Sequence, residues 1–343
     1  MRLQGTLRLG LLSGFLLLGL SLPVQGSEIL TPPEDRRTGD QTFLTFPEWF
    51  LVHSPTEYAS YVKTNPPTDF PFFGHIRQLW SSYAAMYSEV KTRYPFNGEY
   101  HTMIMVIGLS TTAEYGLRTA WETLMGRLSE WSAAGELTPE DRFGSEVADD
   151  YARFILTTPW YEFDYWGALT GLWYEVPLAG DNLFRRLERR YLLTSEYLIK
   201  AGYAALIGMG AQASFEAPIQ TTISIIDSPV EGVTKSEPVD GEADLWMAVL
   251  PRYQPFTERA NELASQGVRF TEIAGNRGDI LVSVLAPTSS PSTLDHSRLL
   301  FSQPLLTQPG ISRRAIAVPV AELHNLLIAV DDGPAQLEHV YDF

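Results

Sequence analysis

Two stretches of the chain, from Gly98 to about Trp131 and from Asp181 to about Ala213, carry apolar residues at helical spacing over lengths that only a long α-helix accommodates. In the first, Met103, Ile107, Leu117, Trp121, Leu124 and Leu128 fall on one stripe, with Glu114 among them. In the second, Leu183, Leu187, Tyr191, Thr194, Leu198 and Ala201 do the same. Such stripes predict helices that bury that face in a bundle. The centre of the first, Met103 to Leu109, is apolar all round and reads as the innermost helix, because Glu99, Glu114, Arg118 and Glu122 interrupt any membrane-spanning length.

Shorter helical segments surround this pair. Gly74 to Tyr94 places Ile76, Leu79, Trp80, Tyr83, Met86, Tyr87 and Val90 on one face. Ser54-Pro55-Thr56-Glu57 and Thr138-Pro139-Glu140-Asp141 each combine a capping hydroxyl, a proline at the first helical position and an acid three residues on, so each predicts a helix start. Residues 43–216 are therefore read as an aromatic-rich, all-α domain, preceded by a flexible polar leader over residues 27–42.

Between 217 and 243, Pro218, Pro229 and Pro238 break the periodicity, leaving a linker in which Thr221 to Ile226 can form an edge strand. From 244 to 343 strand and helix patterns alternate. Leu245 to Leu250, Val268 to Ala274, Ile280 to Ala286, Arg298 to Gln303, Arg313 to Val318 and Gln336 to Tyr341 read as strands, and Asn276-Arg-Gly278-Asp279 as a hairpin turn. Helices are placed at Gln254 to Gln266 and Ala321 to Leu327. That order predicts a ferredoxin-like α/β sandwich with an inserted hairpin, and an α+β fold class overall. No sequence repeat of 20 to 50 residues is visible.

Composition narrows the chemistry. The 343 residues include 41 Asp plus Glu against 25 Lys plus Arg, a net charge of -16, and no cysteine. Disulfide scaffolds, thiolate metal sites and Cys nucleophiles are excluded, and an acidic surface repels nucleic acid. Arg2 and Arg8 precede an apolar run, Leu9 to Leu22, followed by the small residues Val24 and Gly26. Residues 1–26 thus read as a signal peptide cleaved before Ser27, or alternatively as a membrane anchor over 9–25, and place the protein in the periplasm or outside the cell.

Two clusters stand out as candidate sites. Trp160, Tyr161, Glu162, Asp164, Trp166 and Trp173 interleave rings with carboxylates, a combination that binds a small apolar or sugar-like ligand. Arg185, Arg186, Arg189 and Arg190 form a basic quartet suited to an anionic partner or a membrane surface, or to salt bridges with Glu188, Glu196 and acids of a neighbouring helix. A hydrolase would need Glu162 or Asp164 to share a cleft with another acid such as Glu48 or Glu114. A bundle metalloprotein would need His53, His75 and His101 to converge with Glu48, Glu57, Glu99 or Glu114, but no His-Glu-x-x-His or Glu-x-x-His spacing occurs, so no metal or other cofactor is assigned. The sequence favours an exported envelope protein that binds a ligand, lipid or partner protein without catalysis.

Overall fold

The computed structural model describes residues 29–214, 220–291 and 295–342, so the signal or anchor segment lies outside the described residues. The protein is α+β: helices occupy the amino-terminal part and two antiparallel four-stranded sheets the rest. The helices are α1 (Gln41–Leu44), α2 (Phe46–Val62), α3 (Phe72–Val90), α4 (Gly98–Trp121), α5 (Arg127–Ser132), α6 (Pro139–Phe154), α7 (Tyr165–Tyr174) and α8 (Leu183–Ser214). Asn97 caps α4 by accepting from the Tyr100 amide, and a π-helical turn, Glu122–Gly126, carries it into α5. The capping box opens α6 as its sequence predicts, with Thr138 and Asp141 each accepting from the other's backbone amide. The other start signal does not operate. Ser54-Pro55-Thr56-Glu57 lies inside α2, and Glu57 is turned toward the sheets.

The strands are β1 (Thr221–Ile226), β2 (Lys235–Val239), β3 (Glu242–Pro251), β4 (Phe270–Ile273), β5 (Asp279–Pro287), β6 (Arg298–Pro304), β7 (Ile311–Pro319) and β8 (Gln336–Val340). Helix α9 (Gln254–Ser265) joins β3 to β4, and α10 (Leu323–Asp331) joins β7 to β8. Rather than joining in one ferredoxin-like sheet, the strands divide into two, ordered β2-β3-β1-β4 and β6-β7-β5-β8. Each half is thus three strands, a helix and a strand, arranged second, third, first, fourth. The protein contains a structural repeat that its residues do not announce. The turn at Asn276 accordingly links two sheets instead of closing a hairpin, the chain leaving β4 through Ala274 and Gly275, both at positive φ. Thr221 to Ile226 is an inner strand paired on both sides, not an edge.

Alternation along β5 and β7 explains how the layers stack. Ile280, Val282, Val284, Ile316 and Val318 face a core shared with α9, α10 and the first sheet, among them Phe256, Leu263, Leu323 and Leu327. Leu281, Ala315 and Ala317 point the other way, into a second core with Phe43, Phe46, Trp49, Met86 and Ile104 of the helices. The second sheet is therefore covered on both faces, which is why β5 is apolar from Ile280 to Ala286 apart from the buried Ser283. Helices and sheets share this core and do not form separately packed domains.

The expected flexible leader is fastened down. Glu272, fully buried on β4, accepts from the Leu30 and Thr31 amides at 2.8 and 2.9 Å and from the Thr31 hydroxyl at 2.8 Å. Farther along, the Thr42 hydroxyl accepts from the Leu281 amide at 2.9 Å and donates to the Tyr341 carbonyl at 3.0 Å, standing between β5 and the end of β8. Thr42→Val conserves shape but strands a buried amide and a carbonyl, and should lower stability by about 1–3 kcal/mol in chemical denaturation. An unchanged midpoint would contradict this placement.

Candidate functional site

The two long stripes are helical, but most of their large apolar residues face outward, while Ala201 is buried and Ile107, Trp121 and Thr194 are half-buried. Leu117, Leu124, Leu128 and Trp131 on α4, the π turn and α5 are exposed, Leu124 by 70% and Trp131 by 82%. Leu183, Phe184, Leu187, Tyr191, Leu198, Ile199 and Leu206 on α8 are exposed as well, Leu187 by 54%. Trp121 stacks on Tyr191 with ring centroids 5.2 Å apart, so the two outward ridges meet along one seam.

Charges fill the space where apolar side chains were expected. The α4-to-α5 segment runs antiparallel to α8, stitched by Glu114 to Lys200 at 3.0 Å, Arg118 to Glu196 at 2.6 Å and Glu122 to Arg189 at 2.7 Å. Arg185 donates to the Gly126 carbonyl and pairs with Asp141 at 3.0 Å. Arg186 and Arg190 both bind Glu140, at 2.9 and 2.7 Å. Arg190 also donates to the Leu172 and Val176 carbonyls, and Glu188 accepts from Arg189, Ser129 and the Trp121 indole. The basic quartet is therefore buried and saturated, and Arg185 is only 1% exposed. It serves as the helices' own interior and presents no guanidinium to an anionic partner. The signal for this was the acid content of α6 and of the turn before α5, whose spacing cannot be matched to α8 without the fold.

The aromatic and acidic cluster divides in two. Trp160 stacks on Tyr203 of α8 at 5.3 Å, and Tyr161 packs beside it in a small core with Tyr151 and Phe163. Glu162 faces solvent, while Asp164 caps α7 by accepting from the Gly167 amide at 2.7 Å. Neither acid lines a recess with the rings. Trp166 and Trp173 are exposed on α7, Trp173 lying 5.3 Å from the Arg190 guanidinium and donating to Thr194 on α8. Trp173 thus sits beside α8, and Trp166 and Tyr174 are exposed on the same short helix.

Apart from the half-exposed Glu114 at the rim of the outward face, the other candidate carboxylates and histidines lie elsewhere in the fold. Glu114 is with Lys200, and Glu48 is pushed up to about 7 by burial beside Tyr100. His101 bonds Tyr83 at 2.9 Å and stacks on Phe96 beside a cavity of about 120 Å³. His53 and His75 belong to a buried polar cluster where α2 meets the second sheet. There Ser54 bonds both His75 and Tyr115, at 2.9 and 2.7 Å, and Arg313 of β7 bridges Glu57 and Glu338, each at 2.8 Å. Burial pulls His53 down to about 4 and His75 to about 3, while Arg313 and His53 outweigh burial at Glu338 and hold it at about 2. Ser54, His75 and Glu57 stand in the order of a nucleophilic triad, His75 lying 3.6 Å from Glu57, yet all three are buried and neither cavity described in the structure borders them. Among the described residues no three His, Asp or Glu side chains are placed to hold a metal ion.

No protein-family model, no curated protein and no solved structure matches the chain.

Two predictions follow from the buried groups. Arg189→Met leaves Glu122 and Glu188 short of their partner and should destabilise by about 3–5 kcal/mol, whereas the exposed Arg153→Gln should leave the midpoint unchanged in the same denaturation assay. The second concerns pH. A histidine held neutral in the fold takes up its proton only on unfolding, so His75 makes stability fall as pH drops below 6.5 toward 3. His75→Gln should remove up to about 1.4 kcal/mol per pH unit from that slope between pH 4.5 and 6. Glu48 acts with the opposite sign, its contribution being lost as pH rises through 7, so Glu48→Gln should stabilise more at pH 8 than at pH 5. Parallel pH profiles for variants and parent would refute both assignments.

Proposed function

We propose that this is an exported envelope protein that acts by binding, without catalysis, and that its working surface is the outward apolar face of α4, α5, α7 and α8. The observation that carries this reading is the inverted polarity of the helical part: paired charges inside, leucine and tryptophan outside. Monomeric proteins rarely expose contiguous apolar patches beyond a few hundred Å², and larger ones mark contact with a partner or a membrane. The segment from Arg2 to Gly26 supports export.

The competing readings find less support. A carboxylate hydrolase needs two acids in one cleft, whereas Glu162 is in solvent, Asp164 caps a helix, Glu114 is paired with Lys200 and Glu48 is beside Tyr100. A sugar-like ligand would need acceptors beside the exposed rings, and the acids nearest in sequence are turned to other work.

Detergent uptake tests the reading. The mature chain should sediment in dodecyl maltoside with a bound detergent belt, and should associate when detergent is withdrawn. A variant carrying Gln at positions 117, 124, 187 and 198 should keep its helicity and melting temperature while losing both properties, since exposed positions seldom contribute more than about 0.5 kcal/mol. A parent protein that stays monomeric in plain buffer and binds no detergent would overturn the proposal.

A further inference from the structure

The same face carries information about what covers it, and the following rests on the binding role proposed above. We infer that the occupant is the hydrocarbon of a lipid bilayer, with the paired α4 and α8 helices lying along the membrane and sunk into it by one face.

The first argument is the polar economy of the surface. A protein partner takes about one hydrogen bond per 100–200 Å² of contact, whereas hydrocarbon offers none and requires every polar group beneath it to be satisfied internally. Hydroxyls on these helices are already spent on their own backbones. Thr102, Ser110 and Thr119 donate to the carbonyls of Gly98, Ile107 and Tyr115 on α4, and Ser195 donates to Tyr191 on α8, all between 2.7 and 2.9 Å. The charges between the pair are matched, so that Arg118, Glu122, Arg185, Arg189, Glu196 and Lys200 each have an opposite charge within 3.4 Å, and the half-exposed Glu114 at the rim is neutralised by Lys200. The large side chains that remain outside are chiefly Leu, with Met and aromatic rings.

The second argument is the frame of that surface. Trp131, Trp166, Trp173 and Tyr174 are exposed on α5 and α7, and such rings favour the headgroup level of a bilayer. The exposed apolar positions of α8 run from Leu183 to Leu206, which at ~1.5 Å per residue is a contact about 35 Å long. The third argument is that the pair is backed by protein on its other side. Ile104, Thr111 and Tyr115 of α4 and Leu193, Tyr197, Ala201 and Ala204 of α8 are buried against neighbouring elements. A helix apolar on one side and packed on the other lies in the interface and does not cross it, in keeping with the finding that no described helix is long and apolar enough to span a membrane.

Charge selects the kind of lipid. The protein is acidic, with a net charge of -16, and its arginine quartet is buried, so attachment should owe nothing to anionic headgroups.

The test uses the mature chain and phosphatidylcholine vesicles whose acyl chains carry bromine, a contact quencher of tryptophan. The protein should float with these uncharged vesicles, lose tryptophan emission relative to unbrominated ones, and recover part of that loss in the Trp131→Phe variant. The Gln variant at 117, 124, 187 and 198 should neither float nor be quenched. Flotation without quenching, or flotation only when anionic lipid is added, would overturn the inference. A dimer abolished by the Gln substitutions, with no flotation, would also overturn it while leaving the binding face intact as a protein interface. A parent that neither floats, dimerises nor takes up detergent would sink both proposals together.

Discussion

The helical half of this protein is organised around the guanidinium groups of α8. Four arginines in two adjacent pairs offer more donors than any one carboxylate can accept, so they draw in Glu122, Glu140, Asp141 and Glu188 together with several carbonyls. Once buried, none of these charges can lose its partner without a penalty of several kcal/mol, and the helices must keep their polar sides together. Part of each helix still packs into small apolar clusters, as Leu193 and Tyr197 do on α8, but the space between α4 and α8 is taken by charge and their remaining leucines are left outside. Gly126 shows how tight the arrangement is: a side chain there would run into the Glu122 carboxylate and Thr68 and crowd Arg189.

A different logic holds the helices to the sheets. The junction mixes an apolar core, with Trp49 stacked on His339 at 3.4 Å and Phe46 edge-on to Phe301, with the buried chain of Glu57, Arg313, Glu338 and His53. Burial keeps the histidines neutral, so near neutral pH the charge of this junction is confined to the Arg313 bridge, and its histidines take up protons only when it opens. Stability of the whole and attachment of its two parts are one property here, because the same residues serve both.

Much of the fold was legible in the sequence. The capping box at Thr138, the stripe of α3 and nearly every strand after 244 followed from local chemistry, since period and turn residues act over a few positions. What was lost depends on distance along the chain. The stripes of α4 and α8 gave the helices correctly and their orientation wrongly, because a pattern cannot tell an inward apolar face from an outward one until the other side is known to have partners. Arg185 finds Asp141, and Arg189 finds Glu122, dozens of positions away. Likewise Pro55 with Ser54 and Glu57 imitates a helix start inside α2, and the repeated strand order is carried by topology while the residues have diverged. The aromatic cluster was half legible: its rings are where a surface would need them, and its acids are not.

The bridging hydroxyl of Thr42 has a consequence for the order of assembly. It stands between two backbone groups, at Leu281 and Tyr341, that are separated from it by nearly the whole described chain. The pairing of β5 with β8 is therefore reinforced by a residue made early that meets a strand made late. Contacts of such long range are slow to form, because loop closure must be met before they return any stability. A nascent chain emerging from the ribosome would hold the Thr42 hydroxyl without its Tyr341 acceptor until β8 had been synthesised. The native state is thus latched at a point where segments far apart along the chain touch.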